Sequence, residues 1–460
     1  MGEITLTDYL LLPFYLWFIY KVAYFCRKKY YPKDHPYYPY FIPGLTVKIV
    51  GAICIGLIYN YYYAGGDTFN FFYHSQIINS TFTQSPNAWF TLMTHQVDGR
   101  DLIASKAVSD MYWYDDIPAY TTSCIGAFIG MFCFTKYLVI NIIIASLSFI
   151  GSWLFFVQFG RQYPNLIKYV AIAILFMPGP VIWGSGLFKD SFCQFAIGCL
   201  VYCMYVLFEK REFKIGLVLL LALSVFLLML IKAYILIALL PPVFLKTLLV
   251  YRKQLSNYYE SRLSYYMILG IITISFLIVV RKVSHRVSAE AIQSTLETIK
   301  RQKDYLLEVS LQSDGSAYDL GDFDPTIGSI LHKFWPAVNV ALFRPYPWES
   351  RSIMELFNSF ESFGMLLLTL YLLIKRNFFK TIKNILADPT LMMCLFFVLG
   401  FSFIVGISTY NFGSLSRYRI PGIPFFMLFV FVLLFKDKTT RSSSAPVVMD
   451  EVTIEPEPSS

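Results

Sequence analysis

The sequence predicts an all-α, polytopic membrane protein, and three observations carry that prediction. The chain is 56% hydrophobic and only 15% charged over 460 residues, with a mean hydropathy of +0.55, outside the range of soluble domains. Apolar stretches of ~20 residues without internal charge recur along its whole length, each long enough to cross a bilayer as a helix. Lys and Arg gather in particular connections, the bias that marks cytoplasmic loops. The formal net charge of +8 belongs to that bias and does not point to nucleic acid.

Taken in order, the expected spans are 9–26, 46–64, 137–158, 168–185, 191–208, 215–232, 233–250, 264–280, 361–375, 389–408 and 418–435, about eleven crossings. Glu3 and Asp8 precede the first basic residue, Lys21, which argues for a retained first span and against a cleaved signal peptide. Arg27, Lys28, Lys29, Lys33 and Lys48 mark one cytoplasmic loop. Further basic loops follow at Lys210–Lys214, Arg252–Arg262 and Lys375–Lys383. Residues 119–135 are apolar enough to span, yet counting them would reverse every later loop. They are expected to lie re-entrant or juxtamembrane in the outer leaflet, packed on protein.

The organisation that follows is an extra N-terminal span and cytoplasmic loop (1–45), a transmembrane core (46–280) with a first outer loop at 65–118, a second outer loop (281–357), C-terminal spans (358–436) and a disordered cytoplasmic tail (437–460). The second loop is expected to hold an amphipathic helix in 287–312, with Val287, Ile292, Leu296, Ile299 and Leu306 on one side. An acidic turn follows with Asp314, Asp319, Asp322 and Asp324, lacking the spacing of a calcium loop. All eight cysteines lie in or beside apolar segments and read as small hydrophobes.

The candidate site residues sit where spans leave the membrane. Asp67 follows Gly65-Gly66 at the end of an apolar run, and a carboxylate there is a functional candidate by default; Asp is also a good N-cap. Asp67, Asn70 and His74 recur at i, i+3 and i+7 and share a face. Pro178-Gly-Pro-Val-Ile-Trp-Gly-Ser-Gly breaks a helix and delivers Lys189 and Asp190 to the same side. Arg417-Tyr418-Arg419 opens the last span. Two guanidiniums beside a Tyr suit a phosphate, and they also suit interfacial anchoring. Arg344, in Phe343-Arg-Pro-Tyr-Pro-Trp-Glu349, is a grip for a sugar or phosphate or the hinge of a re-entering loop. No P-loop, dinucleotide fingerprint, His-Glu-x-x-His or serine elbow occurs.

This combination resembles the GT-C class of glycosyltransferases, which includes the protein O-mannosyltransferases and the lipid A aminoarabinose transferases. The likeness rests on an Asp opening the first large outer loop, an outer-leaflet helix before the next span, a Pro-ended span leading to a second outer Asp, and a late Arg-Tyr-Arg-x-Pro. It covers residues 46–210 and 410–435. It implies an integral membrane glycosyltransferase that moves a sugar from a polyprenyl-phosphate carrier to a glycan, lipid or protein acceptor. The implied location is a bacterial inner membrane, with the active site on the outer face. By the likeness Asp67 is the general base and Asp190 a second acidic residue near the substrate. Arg417 or Arg419 is the phosphate ligand, with Tyr418, Arg344, His74 and Lys189 as further substrate-binding candidates. Any divalent metal ion would be held by Asp67 and Asp190. The first loop departs from the class in carrying one Asp where many members have an acidic pair. Two rival readings stand: an O-antigen or exopolysaccharide polymerase using Arg344 and Arg417, and a non-enzymatic transporter of a lipid-linked sugar.

Overall fold

The computed structural model describes residues 4–255, 316–322 and 324–440, together with Glu297, Lys300, Arg301, Tyr305 and Glu308. The expected span at 264–280, the amphipathic face of 287–312, Asp314 and the tail beyond 440 lie outside the described residues. The protein is helical. Among the described residues the one extended pairing is an isolated bridge, Ala317 to Asn411. Seven helices are long and apolar enough to cross a membrane, or eight if one bent pair counts as a span, so an all-α membrane protein is observed.

The helices, in order, are α1 (Leu6–Tyr30), α2 (Tyr38–Ile58), α3 (Asp67–Phe82), α4 (Pro86–Met93), α5 (Leu102–Ser109), α6 (Ile117–Met131), α7 (Tyr137–Gln162), α8 (Ile167–Leu175), α9 (Pro178–Trp183), α10 (Lys189–Met204) and α11 (Ile215–Leu255). Further along the chain come α12 (Ile327–His332), α13 (Phe334–Phe343), α14 (Ile353–Lys375), α15 (Phe378–Ala387), α16 (Pro389–Thr409), α17 (Phe412–Tyr418) and α18 (Ile423–Thr440). Single π turns extend α2 to Tyr63 and α10 to Glu209.

α7 is the centre of the bundle. It is buried along most of its length and packs against α1, α2, α8 and α10. Glycines set its closest approach: a Cβ on Gly151 would run into the backbone of Phe195, and one on Gly198 into the carbonyl of Gly151. Small residues at such a crossing let backbones touch where no hydrophobic drive separates protein from lipid. At its start, Asp8 is buried and joins α1 to α7. Its carboxylate accepts from Thr5 N (3.0 Å), Thr5 Oγ1 (2.6 Å) and Leu138 N (3.0 Å).

Several sequence expectations change. Lys48 is no loop residue: α2 begins at Tyr38, and the Lys48 ammonium is buried at 2% exposure among α2, α7, α9 and α10. The segment expected as a span at 168–185 is broken, because Pro178 forces Met177 to extended backbone (ψ 128°) and ends α8 at Leu175. The C-terminal span is also bent, by 68° between Phe412–Tyr418 and Ile423–Lys436, where Pro421 and Gly422 intervene. α6 has 15 residues, about 22 Å, short of a crossing, and lies along α3. α14 starts at Ile353, eight residues before the expected 361, because Ser352 caps it by accepting from Glu355 N (3.2 Å).

The pair expected at 215–232 and 233–250 forms one element interrupted by a non-helical Lys232 (φ −148°, ψ 73°). Side-chain contacts show that the chain doubles back there. Lys232 bonds Asp190 near one end of α10, and Lys246 bonds Glu209 at the other (2.7 Å). Arg211, just before α11, lies 4.9 Å from the Tyr251 ring near its far end. A straight helix of this length would separate those residues by roughly 55–60 Å.

Gly198→Val is expected to force α7 and α10 apart and to cost about 1–3 kcal/mol or more. Unfolding of purified protein in detergent measures it; a change below about 0.5 kcal/mol would contradict this packing.

Candidate active site

Asp67 reaches its place through backbone that only this local sequence tolerates. The π turn at Tyr59–Tyr63 ends in a left-handed Ala64 (φ 51°), followed by Gly65 (φ 157°) and Gly66 (φ 123°). A Cβ at Gly66 would stand 2.6 Å from the Tyr59 ring, so glycine is required there on both counts. Gly66 takes the cap position and Asp67 is the first helical residue. Asp67 is therefore not the cap, and its side chain turns elsewhere: Arg417 Nη1 donates to Asp67 Oδ2 at 2.7 Å across 350 residues of sequence. The carboxylate stays 44% exposed.

That ion pair borders an open cavity of about 490 Å³, within the usual size range of small-molecule sites. Lys189, Asp190, Lys232, Tyr418 and Asp116 also line it. The charges come in three pairs. Besides Asp67 with Arg417, Lys232 Nζ donates to Asp190 Oδ1 (2.5 Å), with both side chains under 10% exposed, and Lys189 Nζ lies 3.5 Å from Asp116 Oδ2. Three carboxylates face three cations, so the lining is formally neutral. Lys232 also stands over the Tyr418 ring (4.7 Å to its centre) and Arg417 near that of Trp183 (5.8 Å), so the cations are held against aromatic faces as well.

Of the residues singled out from sequence, Asp67, Asp190, Lys189, Arg417 and Tyr418 come together here. Arg419 does not. Two residues along a helix is a rotation of about 200°, and Arg419 points the opposite way from Arg417, 4% exposed. It donates to the Arg344 carbonyl (2.9 Å), Ser362 Oγ (2.6 Å) and the Asn358 carbonyl (3.1 Å). The Arg344 side chain belongs to a separate surface cleft of about 410 Å³ and is paired with Glu349, Nε to Oε1 at 3.0 Å. His74, two turns from Asp67, is fully buried against the rings of Tyr112 (4.7 Å) and Trp113 (5.9 Å), and neither ring nitrogen has a hydrogen-bond partner. Burial pushes its pKa down to about 4, so it is neutral at physiological pH and cannot pair with a phosphate as a cation.

Two lining residues escape the sequence reading. Lys232 carries the lone charge between two apolar runs, which is itself the signal of an intramembrane functional or paired group. Asp116 caps α6, accepting from Ala119 N (3.2 Å), and Asp-Asp-Ile-Pro is a legible helix start. The site does not fit a divalent ion well. Asp67 and Asp190 each already hold a cationic side chain, and among the described residues no group of three or more His, Cys, Asp or Glu gathers to ligate a metal. All eight cysteines are free thiols.

No family model, curated protein or solved structure matches this chain.

The buried pair can be tested on its own. Lys232→Met strands the Asp190 carboxylate and should cost about 3–5 kcal/mol of stability. Adding Asp190→Asn to that variant should recover much of the loss. Detergent unfolding of the two single variants and the double variant reads this; a double variant no better than Lys232→Met would contradict the pairing.

Proposed function

We propose that the protein is an integral membrane glycosyltransferase, moving a sugar from a polyprenyl-phosphate carrier to an acceptor hydroxyl at the outer face of a bacterial inner membrane. The observation that carries this reading is the Asp67–Arg417 pair at the edge of the cavity, a base and a phosphate ligand within one hydrogen bond of each other. The carrier's phosphate competes with Asp67 for Arg417, because a guanidinium bonds a phosphate bidentately as readily as a carboxylate. Taking Arg417 away leaves Asp67 with an uncommitted carboxylate at the moment an acceptor hydroxyl arrives. The donor binding step thus prepares the base.

The acceptor oxygen forms a bond to the anomeric carbon, and its proton passes to Asp67. The bond between the anomeric carbon and the phosphate oxygen breaks with its electron pair on the leaving polyprenyl phosphate. Arg417, released from Asp67 by the phosphate, stabilises that charge. A positioned general base contributes ~10²–10⁴-fold, and fixed positive charge at the leaving group often contributes more. The apolar part of the lining, with Phe71, Ile231 and Ile404, suits the first isoprene units. The acceptor hydroxyl belongs to a glycan, a lipid or a protein. The polymerase reading would need Arg344 and Arg417 at one site, and the Arg344 side chain lines a different cleft from Arg417.

Asp67→Asn should keep the fold and lower transfer by about 10²-fold or more, because the amide holds the shape and accepts no proton. Arg417→Lys should fall less far, keeping charge and losing the bidentate geometry. Transfer from a polyprenyl-phosphate donor, in membranes carrying each variant at matched expression, tests both. Near-normal transfer in Asp67→Asn, together with loss in Arg344→Ala, would replace this mechanism by the polymerase one.

A further inference from the structure

In α9 and the turn after it, Gly179, Pro180 and residues 183–188 are buried within the bundle, where unpaired backbone groups are costly. Side chains from four helices take them up instead. Lys48 of α2 donates to the carbonyls of Pro180 (2.9 Å) and Gly184 (3.0 Å), and also to Ser148 Oγ (3.2 Å) and Gln194 Oε1. Ser148 donates to the Gly184 carbonyl (2.7 Å), Gln194 Nε2 to the Pro180 carbonyl (3.0 Å), and Asn141 Oδ1 accepts from Leu187 N (2.9 Å). At the other end of α9, Glu361 of α14 accepts from Gly179 N (2.8 Å) and lies 3.9 Å from Arg419.

The partners of Lys48 are all neutral oxygens, four of them around one ammonium that is 2% exposed. A methionine would fill nearly the same volume without the desolvation cost of a charge. What the charge supplies is strong donation to two carbonyls at once, at the place where the helix is broken. That place matters because the next residues are Lys189 and Asp190. The same frame reaches the opposite wall through Arg419, two residues beyond Arg417 and bonded across to α14.

We infer that Lys48 is a positioning residue, the resident cation of a carbonyl cage that holds 178–188 and thereby sets Lys189 and Asp190 against the cavity. Glu361 and Arg419 secure the far end of α9 and the neighbouring Arg417. This device stands apart from the transfer reaction, so its test needs no substrate.

Lys48→Ala removes a fragment with the shape of propylammonium. The reporter is a cysteine in place of Lys189, in a background with Cys54→Ser, and the readout is its rate of modification by a membrane-impermeant thiosulfonate. Introducing Lys48→Ala should change that rate by about fivefold or more. A control cysteine at Ser80, on the exposed side of α3, should be unaffected. Propylammonium should restore the original rate, and propan-1-ol, equal in size and uncharged, should not. A role limited to general stability would lower the unfolding temperature and leave the reporter rate unmoved. Should Lys48→Ala fail to fold alone, recovery of folded protein by propylammonium and not by propan-1-ol supports the same cage. An unchanged reporter rate, no rescue, or equal rescue by the alcohol overturns it.

Discussion

Polar backbone cannot be left unpaired in hydrocarbon at a cost below several kcal/mol per group, and among the described residues this chain breaks helices there at Lys232 and at two further places. Of these two, one runs from Phe176 to Phe188 and the other from Arg419 to Gly422. At the first, Lys48, Gln194 and Asn141 reach in from neighbouring helices to pair the backbone; at the second, local turns pair the amides of Ile420, Gly422 and Ile423, and the Arg419 guanidinium ties the break to α14 and to the Arg344 carbonyl. The breaks are what bring Lys189, Asp190 and Arg417 to one cavity, since an unbroken span would carry such residues past it. Pro178, Pro180 and Pro421 are the local cause, and the buried polar side chains and local turns are what make the cause tolerable.

How much is legible in the sequence depends on how local each cause is. Gly65-Gly66-Asp67 is readable because positive φ and an abrupt end to an apolar run are local properties. The class of protein is readable because spans are long and apolar, a property of composition. Lys48 reads wrongly as a loop marker because the groups that hold it lie 100 to 146 residues away, and a caged lysine has the same local signature as one at a membrane surface. The hairpin at Lys232 is visible as two spans from the lone charge between apolar runs, but its partner Asp190 is not. The separation of Arg417 from Arg419 is legible in principle from a two-residue spacing on a helix.

The cavity is neutral by pairing, and under the proposed function that neutrality governs how a charged substrate would enter. An anion gains most by displacing the carboxylate that is most exposed and least costly to return to water. Of the three pairs, those at Asp67 and Asp116 have half-exposed carboxylates, while Asp190 with Lys232 is buried on both sides. The buried pair is therefore structural wall, and under the proposed function the exchange is assigned to Arg417, because a guanidinium can bond a phosphate bidentately and the Lys189 ammonium cannot. Under the proposed function this division gives Asp67 the reacting role and Asp190 a supporting one, a distinction that two aspartates at two membrane exits could not make by themselves.

Equilibrium binding of a short polyprenyl phosphate, compared with the matching alcohol, to protein in lipid nanodiscs tests the role of Arg417 most directly. The phosphate should bind the native protein and bind Arg417→Gln at least about tenfold more weakly. The alcohol should bind both proteins alike and poorly. Equal binding of the phosphate to native and Arg417→Gln protein, or no preference for phosphate over alcohol, would contradict it.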